Sequence, residues 1–461
     1  MKKLGYIILL PLAISSCQIE DPDSPTPDEG FIKYFGDVSN YSPADIEFTA
    51  DSTSAIIFGT QTADDGRVDL SFLRVGVDGS FNQEDATSIA FEIPAQEDIN
   101  GDDVVDEEDV LQGDATAGQI EVIESGPFAG NFIFVGSVSV TEQSLQIQDV
   151  STAILGVMNT DLDTLVTLPI PNGTPREGLD SFGNDIIQTA DGNFVIGLTF
   201  EVLRGGATDL DFRLMKIGVD LNGPGVLWME TEILSLAGQD ETVNSVFEKE
   251  NGNLVIIGTT SDESALGESG GNNGTNVTYV ELSSEGDVLN NQTYGIGRVN
   301  ASFTFNDVVN GAIQTAAGFA ITGTSTLTNS TEDSFAFFMS LNQDGAHFKS
   351  DTILSAINPN FDTEGYGIVQ ARDNNFVVFG EYKSFVQGEN SRAGEALFMK
   401  VNQSGEFISE AHYGSNAGFD SAIDGLLLSD DKILVLANTD FGAGLELVTL
   451  IKANDTGEII D

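Results

Sequence analysis

Short apolar runs, each closed by a tight polar turn, recur along almost the whole chain. Ile186 to Phe200 reads IIQTADGNFVIGLTF. The same design returns in VFEKENGNLVIIGTT (Val246 to Thr260), AIQTAAGFAITGTS (Ala312 to Ser325), IVQARDNNFVVFGEY (Ile368 to Tyr382) and LLLSDDKILVLANT (Leu426 to Thr439). EFTADSTSAIIFGTQ (Glu47 to Gln61) and VIESGPFAGNFIFVGSV (Val122 to Val138) are weaker copies. Each unit predicts a strand, a turn, and a β-branched second strand that ends in a small residue: Gly59, Gly136, Gly197, Gly258, Gly323, Gly380 or Ala437. The small residues recur roughly every 63 positions, long enough for a supersecondary unit with insertions.

A third apolar strand follows in each unit, as in FLRVGVDG (Phe72 to Gly79), FFMSLNQDG (Phe337 to Gly345) and LFMKVNQSG (Leu397 to Gly405). A fourth comes after it, as in FISEAHYG, Phe407 to Gly414. Asp-Gly and Ser-Gly between apolar runs favour hairpins, because Gly takes positive φ freely. Seven units of four antiparallel strands resemble an all-β, seven-bladed β-propeller over residues 31–461, with six or eight blades as the neighbouring solutions. No Trp-Asp or kelch-type motif accompanies the repeat. The last unit stops at Asp461 short of a full fourth strand, while FIKYFG, Phe31 to Gly36, lines up with SEAHYG, Ser409 to Gly414. The N-terminal strand is therefore expected to pair into the last blade and close the ring. Short turns such as Asp191-Gly192-Asn193, Asn251-Gly252-Asn253 and Asp373-Asn374-Asn375 should share one face. Longer loops, Ser261 to Asn276 among them, and the links between blades should share the other, where binding usually resides.

Composition narrows the chemistry. With 73 Asp+Glu against 18 Lys+Arg, the formal net charge is -55, which repels phosphate backbones and excludes nucleic acid as a partner. One Cys allows no intrachain disulfide and no Cys-based metal centre, and two His allow no His-rich one.

That Cys is Cys17. It follows Lys2, Lys3, the apolar stretch Leu4 to Ile14, and Ser15-Ser16. The arrangement resembles the lipobox of bacterial lipoproteins, which implies cleavage before Cys17, its acylation, and a membrane partner reached through the lipid. Gln18 to Gly30, QIEDPDSPTPDEG, reads as an extended acidic tether. Acids soon after the Cys resemble the export signal of surface lipoproteins in the Bacteroidota, implying a lipid-anchored outer-membrane protein exposed at the cell surface. The chain thus divides into a signal peptide (1–16), lipidated Cys and tether (17–30), and propeller (31–461), with an insertion at about 92–118.

The insertion carries DINGDDVVDEED, Asp98 to Asp109. Oxygen ligands fall at Asp98, Asn100, Asp102, Asp106 and Asp109, with the Val104 carbonyl between them. Calcium takes six to eight hard oxygens, and a loop of this spacing wraps them around one ion. The pattern resembles an EF-hand loop, nearest the dockerin form, which implies a bidentate Asp109 and a structural calcium. It departs from that pattern at Asp103, where Gly is usual. Asp106 to Gln112 is expected to open a short helix.

Other signals are weaker. His347, His412 and Trp228 fall in or beside fourth strands, and none lies near a nucleophile motif. Asp163-Thr164-Leu165, Asp351-Thr352-Ile353 and Asp420-Ser421-Ala422 resemble O-glycosylation triplets of exported Bacteroidota proteins. With no recognisable catalytic set, the reading leans away from an enzyme. It is a binding or scaffolding module whose long-loop face engages a protein or glycan partner, in keeping with an accessory subunit of an outer-membrane complex. The alternatives are a glycoside hydrolase or polysaccharide lyase, whose two carboxylates cannot be picked out among so many acids, and a glycan-binding adhesin.

Overall fold

The computed structural model describes residues 30–459 except 37–39, 64–65, 83–84, 91, 95–109, 141–149, 171–178, 205–206, 221–222, 231–238, 262–273, 297–304, 328–333, 354–361, 386–391, 415–417 and 443–444. Seven antiparallel four-stranded sheets stand as blades around a central channel, as the repeat predicts. Their inner strands are Tyr41–Phe48, Asp114–Val122, Ser181–Gln188, Glu241–Glu248, Phe305–Thr315, Asp362–Gln370 and Ser421–Leu427, in blades one to seven.

The core is a ring of seams. Seven apolar clusters are buried, and each draws its residues from two neighbouring blades. Between blades one and two, Phe58 stacks on Phe72 with ring centres 4.8 Å apart, and Phe134 meets Phe72 edge-on at 5.0 Å. A second strand is covered on both sides, by the seam before it and the seam after it. That is why these strands read as unbroken apolar runs such as Phe132–Val140.

Blade seven contains both ends of the propeller. Phe31–Phe35 pairs antiparallel with Glu446–Ala453, from Phe31 opposite Lys452 to Phe35 opposite Val448. Phe31 and Phe35 are buried in the seam with blade one, so the strand supplies core as well as hydrogen bonds. The chain enters at the short-turn end of this strand, where the Phe31 ring packs against Gly79 in the third turn of blade one.

Two expectations need correction. The small residues do not end the second strands, which run on past them, from Gly59 to Thr62 and from Gly197 to Arg204, nor do all of them hold the same register. Gly59, Gly136, Gly258, Gly323, Gly380 and Ala437 each face the residue ahead of a bulge in the inner strand. In blade three that place belongs to Leu198, and Gly197 sits one step earlier, opposite Asp185. The expected helix from Asp106 to Gln112 is not formed at its described end. Val110–Gln112 is a strand paired with Glu92–Pro94. The calcium-loop residues Asp98, Asn100, Asp102, Val104, Asp106 and Asp109, Cys17, and most of Ser261 to Asn276 lie outside the described residues.

Replacing Phe31 and Phe35 together by Ala should destabilise the propeller by about 3 kcal/mol or more per ring, the usual range for buried Phe. Denaturant unfolding measures this. An unchanged midpoint would mean that the terminal strand is not held in blade seven.

Candidate functional site

Every inner strand bulges once, at the same level. The pairing register slips at Pro43/Asp45, Ala117/Ile120, Gly183/Asp185, Val243/Ser245, Val309/Gly311, Gly365/Gly367 and Ala422/Asp424. Each bulge adds residues to the strand lining the channel, and together they bound a cavity of about 650 Å3.

The residue that follows the bulge ties blade to blade. Asp45 Oδ2 accepts the Ile120 amide at 2.8 Å, across the seam from blade one to blade two. Asp185 Oδ2 accepts the Val246 amide from blade four, and its Oδ1 accepts that of Ile186 at 2.7 Å. In blade two Gln119 plays this part toward Ile186 at 3.2 Å. Blades five and six have Gly311 and Gly367 instead, and there the backbone of the next blade closes in. A Cβ on Gly311 would stand 2.6 Å from the Tyr366 carbonyl oxygen.

Burial raises these carboxyls. Burial raises Asp424 well above the carboxylate range, and the charge of Asp45 raises it further, so Asp424 stays protonated and donates to Asp45. Burial, with neighbouring acids adding to it, pushes Asp185 up to about 7, Glu121 to about 8 and Glu47 to about 9. Glu241, wholly buried with neither carboxyl oxygen hydrogen-bonded, is pushed up to about 8 by burial and then by Asp211. Asp45, Asp185 and Asp424 are structural clasps, committed to backbone amides or to one another, whereas Glu47, Glu121 and Glu241 are raised by burial without an inter-blade bond of their own.

One blade breaks the repeat. Beyond the small residue, second strands carry Thr60, Ser137, Thr199, Thr259, Thr324 and Asn438, but blade six carries Glu381. Directly opposite it stands Glu364, and like charges in that position repel. Two further departures relieve them. Tyr366, the bulge residue of blade six, lines the cavity, and its hydroxyl lies 2.6 Å from Glu364 Oε2 and 3.2 Å from Glu381 Oε2. Lys383 Nζ lies 2.5 Å from Glu364 Oε1 and 3.5 Å from Glu381 Oε2.

The two acids are driven apart. Burial raises Glu364, but the Lys383 and Tyr366 hydrogen bonds outweigh it and hold the group below its ordinary value. Glu381 is raised by burial against the charge of Lys383, with the charge of Glu364 adding to the rise. Burial and then the charge of Glu364 also raise Tyr366, which keeps its proton. Glu381 Oε1 is buried without a hydrogen-bond partner among the described residues and lies over Gly394, where a Cβ would displace it.

These four residues were missed from the sequence, although the departure is visible there: GEYK in blade six stands against GTT, GTS and GSV elsewhere. His412 lies outside the cluster, with its Nδ1 3.3 Å from Glu395 and its ring edge-on to Tyr382 at 4.5 Å. His347 stacks on Tyr294, and Trp228 is on the fourth strand of blade three. Among the described residues no group of three or more His, Cys, Asp or Glu is arranged to hold a metal ion.

No protein-family model and no curated protein matches the chain. Among solved structures it is similar to a polysaccharide lyase, an ulvan lyase, at 10% identity over 92% of this chain and 96% of that one, with a TM-score of 0.46. It is similar to an α-L-arabinofuranosidase of Fusarium graminearum at 10% identity, 91% and 98% coverage and a TM-score of 0.40. The hemagglutinin-neuraminidase ectodomain of parainfluenza virus 5 is 8% identical, with 92% and 86% coverage and a TM-score of 0.44. The blade count rests on the chain's own sheet topology.

The raised carboxyls fix a sign. A carboxyl whose pKa is raised by folding contributes stability that is fully present below the unfolded value, near 4, and is lost as pH rises through the folded value. Unfolding stability should therefore fall between pH 5 and pH 9, by about 1.4 kcal/mol per pH unit for each group still protonated only in the folded state. Glu47→Gln with Glu121→Gln should flatten that decline. Urea denaturation at the two pH values measures it, and a stability that rises over this range would refute the raised carboxyls.

Proposed function

We propose that this chain is a lipid-anchored, surface-exposed propeller that binds a carbohydrate, without transforming it, at the blade-six mouth of its channel. One observation carries the binding reading. The repeat gives way there to four linked polar side chains, Glu364, Tyr366, Glu381 and Lys383, of which Tyr366 lines the cavity and the other three stand behind it. Carboxylate oxygens that accept, beside a phenol and an ammonium that donate, suit a ligand dense in hydroxyl groups. Of the protein and glycan partners that the sequence leaves open, this chemistry favours the glycan.

A second reading rests on the split between the two acids. One carboxyl lowered below its ordinary value beside one raised above it is the pattern of an acid–base pair in glycoside cleavage. Incubation with a panel of polysaccharides separates the two. Binding without new reducing or unsaturated ends supports the non-catalytic reading. Product that disappears in Glu381→Gln supports the hydrolytic or lyase reading.

The anchor and the calcium belong to the same proposal. Cys17 is the lipid attachment residue, and the strand it leads into begins at the short-turn face, so the channel mouth by blade six is turned away from the membrane. Cys17→Ser should move the protein from the membrane to the soluble fraction, and retention at the wild-type level would sink the anchor. The loop Asp98 to Asp109, with Asn100, Asp102, Val104 and Asp106, is proposed to hold a structural calcium. In support, Pro94 and Val110 pair on either side of it and hold its ends together. Millimolar calcium over a site of about 10 μM would stabilise the protein by roughly 2.7 kcal/mol if binding is coupled to folding. Asp98→Ala with Asp102→Ala should abolish that gain in a thermal scan. A metal-free wild type that takes up no calcium in titration calorimetry would leave only an acidic loop.

A further inference from the structure

A row of exposed aromatic rings starts beside the blade-six cluster. Lys383 pairs with Gly394 on the third strand of blade six, and Gly394 in turn bridges in parallel to Phe419, in the link to blade seven. Two hydrogen bonds of 3.1 Å hold that bridge, from the Gly394 amide to the Gly418 carbonyl and from the Asp420 amide to the Gly394 carbonyl. Asp420 Oδ1 then accepts the Asp440 amide at 2.7 Å, and Asp440 is followed by Phe441. The Phe441 ring meets Tyr34 of the closing strand edge-on, with centres 5.2 Å apart. Phe419, Phe441 and Tyr34 are 49%, 41% and 51% exposed, whereas the blade seams bury rings such as Phe58, Phe72 and Phe134 completely.

We infer that this row is the extended binding surface for a neutral polysaccharide, which lies from the Tyr366 cluster across Phe419 to Phe441 and Tyr34. The inference deepens the carbohydrate reading and rests on it. Aromatic rings left in water and rimmed by polar groups mark interaction sites. Here the rim is acidic. Asp420 and Asp440 adjoin Phe419 and Phe441 in the chain, Glu364 and Glu381 belong to the cluster, and Lys383, the cation of the cluster, is already bridged to both of these glutamates. A chain of net charge -55 adds long-range repulsion of any polyanion. Uronate-rich and sulfated glycans are thus disfavoured, whereas neutral pyranose rings present apolar faces to aromatic side chains and hydroxyl edges to carboxylates. Successive steps of the row cross neighbouring strands, which lie about 4.8 Å apart, so the track is long enough for several sugar units.

The test uses the soluble chain from residue 18 onward and neutral β-glucan and α-mannan oligosaccharides of two and six units, with alginate and sulfated galactan as polyanionic comparators. Affinities come from titration calorimetry. The expected result is tighter binding of a neutral hexasaccharide than of its disaccharide, and none of the polyanions. Phe419→Ala with Phe441→Ala should weaken the hexasaccharide at least tenfold, to the level of the disaccharide, and leave the disaccharide unchanged. Tyr366→Phe with Glu381→Gln should weaken both lengths. No loss of either length, or equal loss of both, in the aromatic variant, with the Tyr366 and Glu381 variant still impaired, overturns the aromatic track and keeps the carbohydrate site. Full binding by the Tyr366 and Glu381 variant overturns the site itself. Binding of polyanions in preference, or of no glycan tested, overturns the inference and leaves the rings to a protein partner. Circular dichroism of each variant, matched to wild type, confirms that the fold is intact.

Discussion

The ring depends on how seven inner strands approach one another around the channel. A bulge at the same level in each strand brings the backbone of one blade to the edge of the next. What fills the contact then varies with the residue that follows the bulge. Asp45 and Asp185 reach across to amides of the following blade, while at Gly311 the backbone of the next blade closes in with no side chain between. A buried carboxyl costs free energy unless it is hydrogen-bonded or neutral. Here both remedies operate together, and the proton on Asp424 lets it serve Asp45 as a donor. The blades need this inner link because apolar seam packing is non-directional and does not by itself fix their rotation about the channel.

A second constraint is the shortage of cations, 18 in the whole chain. Four of them occupy one register near the end of the third strand, Arg74 in blade one and three lysines. Lys216 binds Asp191 at 2.7 Å, Lys400 binds Asp373 at 2.7 Å and also Asp455, and Lys452 binds Asp430 at 2.9 Å. All three lysine side chains are nearly buried beneath the short turns, and each holds an acid from a turn. Removing Lys400 would leave Asp373 and Asp455 facing one another without their shared counter-charge. In blade four the register carries Glu281 instead, and Lys249 comes from the first turn of the same blade to meet it at 2.9 Å. The clasp survives with its polarity exchanged.

The strand pattern was legible because both sides of the inner and middle strands are covered, so that Phe132–Val140 or Ile433–Asp440 reads as an apolar run with a turn before it. Closure was legible from FIKYFG at one end matching the missing strand at the other. The clasps were not, because their partners are far away in sequence: Asp45 bonds to Ile120 and Asp185 to Val246, and no local pattern marks an acid as facing inward. Gly197 misled for a related reason. Its place in the string matches the other glycines, whereas its register is set by where the bulge falls in the partner strand. The blade-six site lay between these cases. Glu381 is conspicuous once the repeats are aligned by register, but only the fold reveals that Glu364, Tyr366 and Lys383 surround it.

The closing strand also sets how the molecule bears force. Phe31–Phe35 and Glu446–Ala453 run antiparallel, and the chain enters the strand at its short-turn end. A pull on the residues ahead of Phe31, directed away from that face, acts along the strand and loads its five residue pairs together, in shear. A sideways pull would instead part them one after another, from Phe31 onward. Resistance to forced unfolding is governed by the rate at which such a contact first gives way. The propeller should therefore be mechanically anisotropic, stiff to traction along its axis and weak to peeling. The load passes through the outer edge of blade seven, away from the channel.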